Sequence, residues 1–139
     1  MSMSIKQFQA VVDSMFPGLM GVQLTAVAQD KVSATMRVRP DMCTSGKTLH
    51  GGAFMAFADT LGAIGTVANL GPGKRTVTTD SNTPFIGGAP VDTTVTGESV
   101  ALHRGRTTQV WQTTARAESG KVCAVVCRRR SCWMRKPGR

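Results

Sequence analysis

The residues best suited to chemistry are a His50-Gly51-Gly52 run and a single acid, Asp59, seven residues after Gly52. Asp59 is the one ionisable side chain between His50 and Leu70, in a segment rich in apolar and small residues. Because a carboxylate buried without a partner costs several kcal/mol, this acid needs a reason to be there. We expect a general base or a nucleophile, and the alternative is a structural acid bonded to nearby backbone or to Thr60.

The two glycines stand where a helix is expected to begin. Free backbone N–H groups at a helix N-terminus donate to anions, and glycine lets a ligand approach closely. Gly51 and Gly52 are therefore candidates for holding an oxyanion, and Gly52, Thr60 and Ala63 for contacting a substrate. Mostly small residues share a helix face with Asp59, which leaves room for a substrate or for a closely packed strand: Met55, Ala56, Gly62, Ala63 and Thr66.

The spacing between the glycines and the acid predicts a site made by two chains. At 1.5 Å per residue, Gly52 and Asp59 lie roughly 10 Å apart along the helix axis. One chain therefore does not easily bring both groups to one carbonyl. Two such helices running antiparallel across a two-fold axis place Asp59 of one chain beside Gly51-Gly52 of the other, which predicts a homodimer with composite sites.

Hydrophobic periodicity predicts the elements that position these residues. Helices are expected over 4–15 and 50–70, the second apolar on all faces, with Pro17-Gly18 and residues 71–73 as their ends. Strands are expected over 20–28, 32–38, 75–85, 92–103, 106–117 and 121–132. This order predicts one α+β domain over 1–139, an antiparallel sheet wrapped around the long central helix, with an N-terminal helix in 1–17 and a basic tail at 133–139.

The positive charge is concentrated near the C-terminus. Residues 1–103 contain seven Lys/Arg and seven Asp/Glu, so the net charge of +9 lies entirely in 104–139. An anionic ligand, a nucleic acid or simple solubilisation each account for this excess. Nucleic-acid binding is disfavoured, because a chain with no Tyr and two Trp offers no base-stacking platform.

Other features disfavour a membrane protein and a metalloprotein. Polar residues or glycines interrupt the apolar segments before about 18 residues, and the first residues lack the order of a secretory signal, so we expect a cytoplasmic protein without membrane spans. The four cysteines form no CxxC pair and no zinc spacing with His50 or His103, which predicts no metal site.

The segment LHGGAFMAFADT resembles the hotdog-fold acyl-CoA thioesterases, most closely the phenylacetic-acid-degradation-type and 4-hydroxybenzoyl-CoA-thioesterase-like members. VTTDSNTPF resembles the family's strand after the helix, and HRGR its hairpin before the last strands. The resemblance implies a hotdog fold, hydrolysis of acyl-CoA to acid and coenzyme A, no metal, no cofactor beyond the CoA of the substrate, and a homotetramer built as a dimer of dimers.

The resemblance also implies roles by position. Asp59 is the acid that activates water or attacks the thioester, the Gly51 N–H polarises the carbonyl, and His50 supports the site. Thr78 occupies the place of a Ser/Thr that positions water.

Three more positions bear on the function. Arg104 and Arg106 lie where related proteins meet coenzyme A. Thr44 stands six residues before His50, where the family usually has Asn or Gln that a hydroxyl replaces weakly. This departure supports a second hypothesis, a non-catalytic acyl-CoA-binding hotdog protein. A hotdog hydratase fits less well, because its catalytic His and later acid are not visible.

Overall fold

A six-stranded antiparallel sheet packs around one long helix in the computed structural model, which describes residues 3–138. The helices are α1 (Ile5–Asp13), α2 (Phe16–Leu19) and α3 (Gly51–Ala68), with a 3-10 turn at Pro40–Met42. The strands are β1 (Gln23–Val27), β2 (Lys31–Arg37), β3 (Lys74–Asn82), β4 (Thr94–Arg104), β5 (Thr108–Arg116) and β6 (Val122–Met134). They pair in the order β1-β2-β4-β5-β6-β3, and α3 contacts all six, so the predicted α+β hotdog architecture is confirmed.

Glycines at the contact bring α3 close to the sheet. A Cβ at Gly65 would lie 2.6 Å from the indole ring of Trp111, and a Cβ at Gly97 would lie 2.4 Å from the Phe57 ring. Both aromatic side chains are fully buried, and they fill the space that the glycines leave. Gly62 also lies over Trp111, so close packing explains part of the small-residue pattern around Asp59.

One side of α3 remains open, because a single sheet covers only the other. Nine of its 18 residues are buried. With a mean hydropathy of 1.2, α3 has the length and composition of a membrane-crossing helix, although half of it is buried inside the protein. The expectation of a buried lone acid is only partly met: the Asp59 side chain is 44% exposed, because it lies between the covered and the open side.

Several predicted boundaries shift by a few residues, and two of these differences change an interpretation. Pro17 does more than end the first helix: it stands in the first turn of α2, where its fixed φ suits a helix start. Strand β6 continues to Met134, because Trp133 and Met134 still pair with Arg75 and Lys74 of β3, so these two residues do not belong to a tail. Residues 1–2 of the predicted N-terminal segment and residue 139 of the predicted tail lie outside the described residues.

Candidate active site

Four side chains from three elements meet at the open side of α3. Asp59 Oδ1 accepts a hydrogen bond from Thr78 Oγ1 on β3 at 2.6 Å. The same oxygen lies 3.1 Å from Arg128 Nη1 and 3.3 Å from Arg130 Nη1, both on β6. Because β3 and β6 pair with Thr78 opposite Arg130, the two strands direct their side chains to one place. The predicted Asp59 and Thr78 are therefore in direct contact.

The two arginines are functional candidates that the sequence interpretation missed. The side chains of Arg128 and Arg130 are only 9% and 8% exposed, whereas Arg129 between them is exposed. Burial lowers the pKa of both buried guanidinium groups, and the nearby Asp59 carboxylate raises it. Two of the three consecutive arginines at 128–130 therefore point into the interior. They are not available to a surface that binds nucleic acid.

The start of α3 offers one free backbone donor. His50 is the N-cap of α3, and its Nδ1 accepts the Gly52 N–H at 2.8 Å. That bond occupies the donor of Gly52, which was predicted to contact substrate. The Gly51 N–H finds no acceptor among residues 3–138, so it is the donor left for a ligand.

A cavity of about 390 Å³ opens beside this helix start. Its size lies at the small end of the range of ligand pockets, about 300–1,000 Å³. Most of its walls are apolar or sulfur-containing side chains from α2, the segment before α3, and α3 itself: Phe16, Leu19, Met20, Met42, Cys43, Ala53 and Ala56. Polar groups are supplied by His50 and by an Arg39–Asp41 ion pair of 3.1 Å, so the cavity suits an apolar group with a polar end.

Asp59, Thr78, Arg128 and Arg130 are called the Asp59 cluster below. Three other predicted site residues make no side-chain hydrogen bond with it. Thr60 is buried, and its hydroxyl donates to the carbonyl of Ala56 at 2.8 Å, so it is bonded within the helix. Ala63 is half-buried, one helical turn beyond Asp59 on the same face. Thr44 is exposed in the turn before α3, with its Oγ1 3.4 Å from the carbonyl oxygen of Thr48.

The predicted CoA contacts lie at the far end of α3 from Gly51. Arg104 Nη1 is 3.4 Å from the side-chain oxygen of Asn69, the C-cap residue of α3. Arg106 follows in the turn between β4 and β5, and both arginines are exposed. Within one chain, the structure therefore does not bring these arginines to the helix start. Residues 3–138 also contain no cluster of three His, Cys, Asp or Glu side chains that could hold a metal ion.

Comparison with known proteins decides the family. A family model described as the thioesterase superfamily matches residues 46–124, more than half of the chain. The chain belongs to the thioesterase superfamily. The matched residues include the helix start at Gly51, Asp59 and Thr78, but end before Arg128 and Arg130.

Individual thioesterase-superfamily relatives agree with this assignment. A relative from Haemophilus influenzae named "Putative esterase" is 34% identical over 107 residues, 76% of each chain. The crystal structure of a thioesterase from Haemophilus influenzae has a TM-score of 0.89 at 26% identity and covers 96% of this chain and 93% of that one. A hypothetical thioesterase from Streptococcus pneumoniae, crystallised with coenzyme A, has a TM-score of 0.79 at 18% identity, covering 96% and 99%, and shows the fold alone. These findings confirm the hotdog thioesterase resemblance and support a thioester hydrolase.

Proposed function

We propose that the chain hydrolyses acyl-CoA thioesters to a free acid and coenzyme A, with Asp59 as general base or nucleophile. The observation that carries this proposal is the Asp59 carboxylate, held by one oxygen at the open side of α3 and still 44% exposed. A carboxylate with a fixed orientation and one open oxygen is what the reaction requires. The CoA bound to the Streptococcus pneumoniae relative agrees with the proposed substrate class.

The chemistry follows from these groups. As a base, Asp59 takes a proton from water, and the water oxygen bonds to the thioester carbonyl carbon. The carbonyl electron pair moves to oxygen, where the Gly51 N–H and the dipole of α3 stabilise the negative charge. The intermediate then collapses, the C–S bond breaks, and the thiolate leaves with the proton. As a nucleophile, Asp59 itself bonds to that carbon, the thiolate leaves, and water hydrolyses the resulting anhydride.

A second copy of the chain is part of this proposal. The helix α3 is continuous, so Asp59 lies eight residues and roughly 12 Å along the axis from Gly51. Exposed Val67, Val77 and Trp133 line one shallow cavity beside the unpaired edge of β3, where an apolar surface favours association. We propose a homodimer with antiparallel α3 helices and composite sites, which assembles further into a tetramer.

The same antiparallel arrangement gives a role to Arg104 and Arg106, the two arginines at the turn between β4 and β5. In antiparallel helices, the C-terminal end of one α3 extends past the N-terminal end of the other. Asn69, which contacts Arg104, lies about 15 Å beyond Asp59 along its own helix. In the proposed dimer, Arg104 and Arg106 of one chain therefore lie on the side of the partner helix start where the phosphates of a long CoA molecule can extend.

We also propose a cytoplasmic location, with which the four free thiols agree.

Release of free thiol from a panel of acyl-CoAs tests the proposed function. We expect the purified chain to release thiol from straight-chain or aryl acyl-CoAs well above the spontaneous rate. Calorimetry with the same compounds separates the alternative, a binding protein without turnover, to which the exposed Thr44 points. Tight binding of acyl-CoA with no thiol release from any member of the panel would contradict a catalytic role.

The cavity beside the helix start is proposed to hold the acyl group. Each methylene buried contributes about 0.8 kcal/mol, so kcat/KM should rise about fourfold per added carbon until the cavity is full. Replacing Ala53→Phe fills part of the cavity, and the rise should therefore stop at shorter chains. The exposed Ala10 of α1 offers a control, since Ala10→Phe should leave the chain-length profile unchanged. An unchanged profile in the Ala53 variant would place the acyl group elsewhere.

A further inference from the structure

Two guanidinium groups contact one carboxylate at the side of α3 that borders β3 and β6. Strand β6 buries Val126, Arg128, Arg130 and Cys132 on one face and directs Arg129 to the other. Burying an arginine costs several kcal/mol of hydration, which a single shared carboxylate only partly offsets. The Asp59 cluster thus holds two positive charges against one negative charge, so simple neutralisation of Asp59 does not explain the second arginine.

Each arginine links Asp59 to a second group, on α3 itself for Arg128 and on β3 for Arg130. Arg128 contacts Asp59 through Nη1, and its Nη2 donates to the backbone carbonyl of Met55, one turn earlier in α3, at 2.6 Å. Arg130 contacts Asp59 through Nη1, and the same nitrogen donates to Thr78 Oγ1 at 2.5 Å, while its Nε donates to Thr76 at 3.3 Å. One arginine therefore fixes Asp59 to its helix and the other fixes it to β3.

All three contacts fall on the same oxygen of Asp59. Thr78, Arg128 and Arg130 each donate to Oδ1, and Oδ2 accepts no hydrogen bond from residues 3–138. Donated bonds reduce the capacity of Oδ1 to accept a proton or to attack a carbon, because its lone pairs are already engaged. The two oxygens of this carboxylate are therefore not equivalent.

We infer that Arg128 and Arg130 are positioning residues, which hold Asp59 by Oδ1 and leave Oδ2 as the oxygen that acts on the substrate. This inference rests on the proposed function. If Asp59 is the base, the proton from water goes to Oδ2. If it is the nucleophile, Oδ2 forms the bond to the thioester carbon, and the C–S electron pair leaves with the CoA sulfur. The Thr78 hydroxyl, whose proton points to Oδ1, then positions the acid itself.

Substitution of Arg130 tests this role against a matched neighbour. We expect Arg130→Gln to lower kcat about 100-fold with KM nearly unchanged, because displacing a reacting group by about 1 Å costs that much. Arg130→Lys keeps the charge but loses the forked contact, and it should lower kcat about 10-fold. Arg129→Gln is the control, since Arg129 faces away and contacts Thr79, and it should keep the wild-type kcat.

A double-mutant cycle separates positioning from a general structural effect. A residue that acts through Asp59 has no further effect once the carboxylate is gone, so Arg130→Gln should leave the residual rate of Asp59→Asn unchanged. Thermal unfolding of each variant checks the fold. If Arg130→Gln does not fold, the kcat of Arg130→Lys is used for the test instead. An equal loss of kcat in Arg129→Gln would overturn the inference. So would a loss of kcat from Arg130→Gln that has the same factor in the wild-type chain and in Asp59→Asn. Absence of thiol release by the wild-type chain would instead overturn the proposed function.

Discussion

Replacement of Asp59 by Asn should lower kcat on the order of 10⁴-fold, the upper range for loss of a general base. An amide of the same shape neither takes a proton from water nor attacks a thioester. Its oxygen still accepts bonds from Thr78 and the two arginines, so the geometry of the cluster should be kept. Substrate binding does not depend on the charge in this mechanism, and KM should therefore change little.

The same substitution has a stability cost that must be measured separately. Removing the carboxylate leaves Arg128 and Arg130 without an anionic partner, and breaking a fully buried pair typically costs about 3–5 kcal/mol. Because Asp59 is 44% exposed, water screens part of this interaction and the loss should be smaller. Urea denaturation gives that loss, and assays well below the unfolding midpoint keep the kinetic comparison valid.

A second carboxylate on β3 provides the control for this experiment. Asp80 is exposed, lies two residues after Thr78 and makes no hydrogen bond or ion pair with the Asp59 cluster within the described residues. Asp80→Asn changes the net charge by the same amount and should retain full activity. Full activity in Asp59→Asn would show that the acid of α3 is structural, the alternative that the sequence leaves open.

Much of the scaffold could be predicted because its signals are local. The apolar period of α1, the continuous apolar run of α3 and the turn residues between the strands each determine one element. The spacing of Gly51 and Asp59 on one helix is likewise fixed by helical geometry, whatever surrounds it. Exposure of Asp59 depends instead on how far the sheet extends around α3, and this is a property of the whole fold.

The alternation of side chains along β6 could have revealed from the sequence that Arg128 and Arg130 are buried. Ala124 and Val126 are apolar positions of β6, and Arg128 and Arg130 continue the same alternation. A strand that directs two arginines inward requires an acid inside, and α3 contains only Asp59. Composition alone indicates only a basic segment within 104–139, because the three consecutive arginines at 128–130 hide the alternation. The cavity could not be found this way, since α2 and the turn before α3 meet only in three dimensions.

Removal of the Gly51 N–H should lower kcat about 10²–10³-fold, the usual effect of losing one oxyanion donor. Gly51→Pro removes this donor where proline fits best, at the first residue of a helix. His50, which precedes it, already has the extended backbone that proline requires, with φ −60° and ψ 137°. Gly51→Ala is the control. Like proline, alanine adds a Cβ, which lies 3.1 Å from the exposed Phe85 ring. Alanine keeps the backbone N–H, so the activity should be retained.

Mixing the two inactive variants tests whether each site is shared between chains. In an equal mixture of Asp59→Asn and Gly51→Pro subunits, half of the dimers are mixed, and each mixed dimer has one site with both groups intact. Activity should therefore recover to about one quarter of the wild-type value after the subunits are exchanged by mild denaturation and refolding. A site within one chain recovers nothing, because every chain lacks one of the two groups. Since roughly 12 Å of continuous helix separates these groups in each chain, we expect recovery.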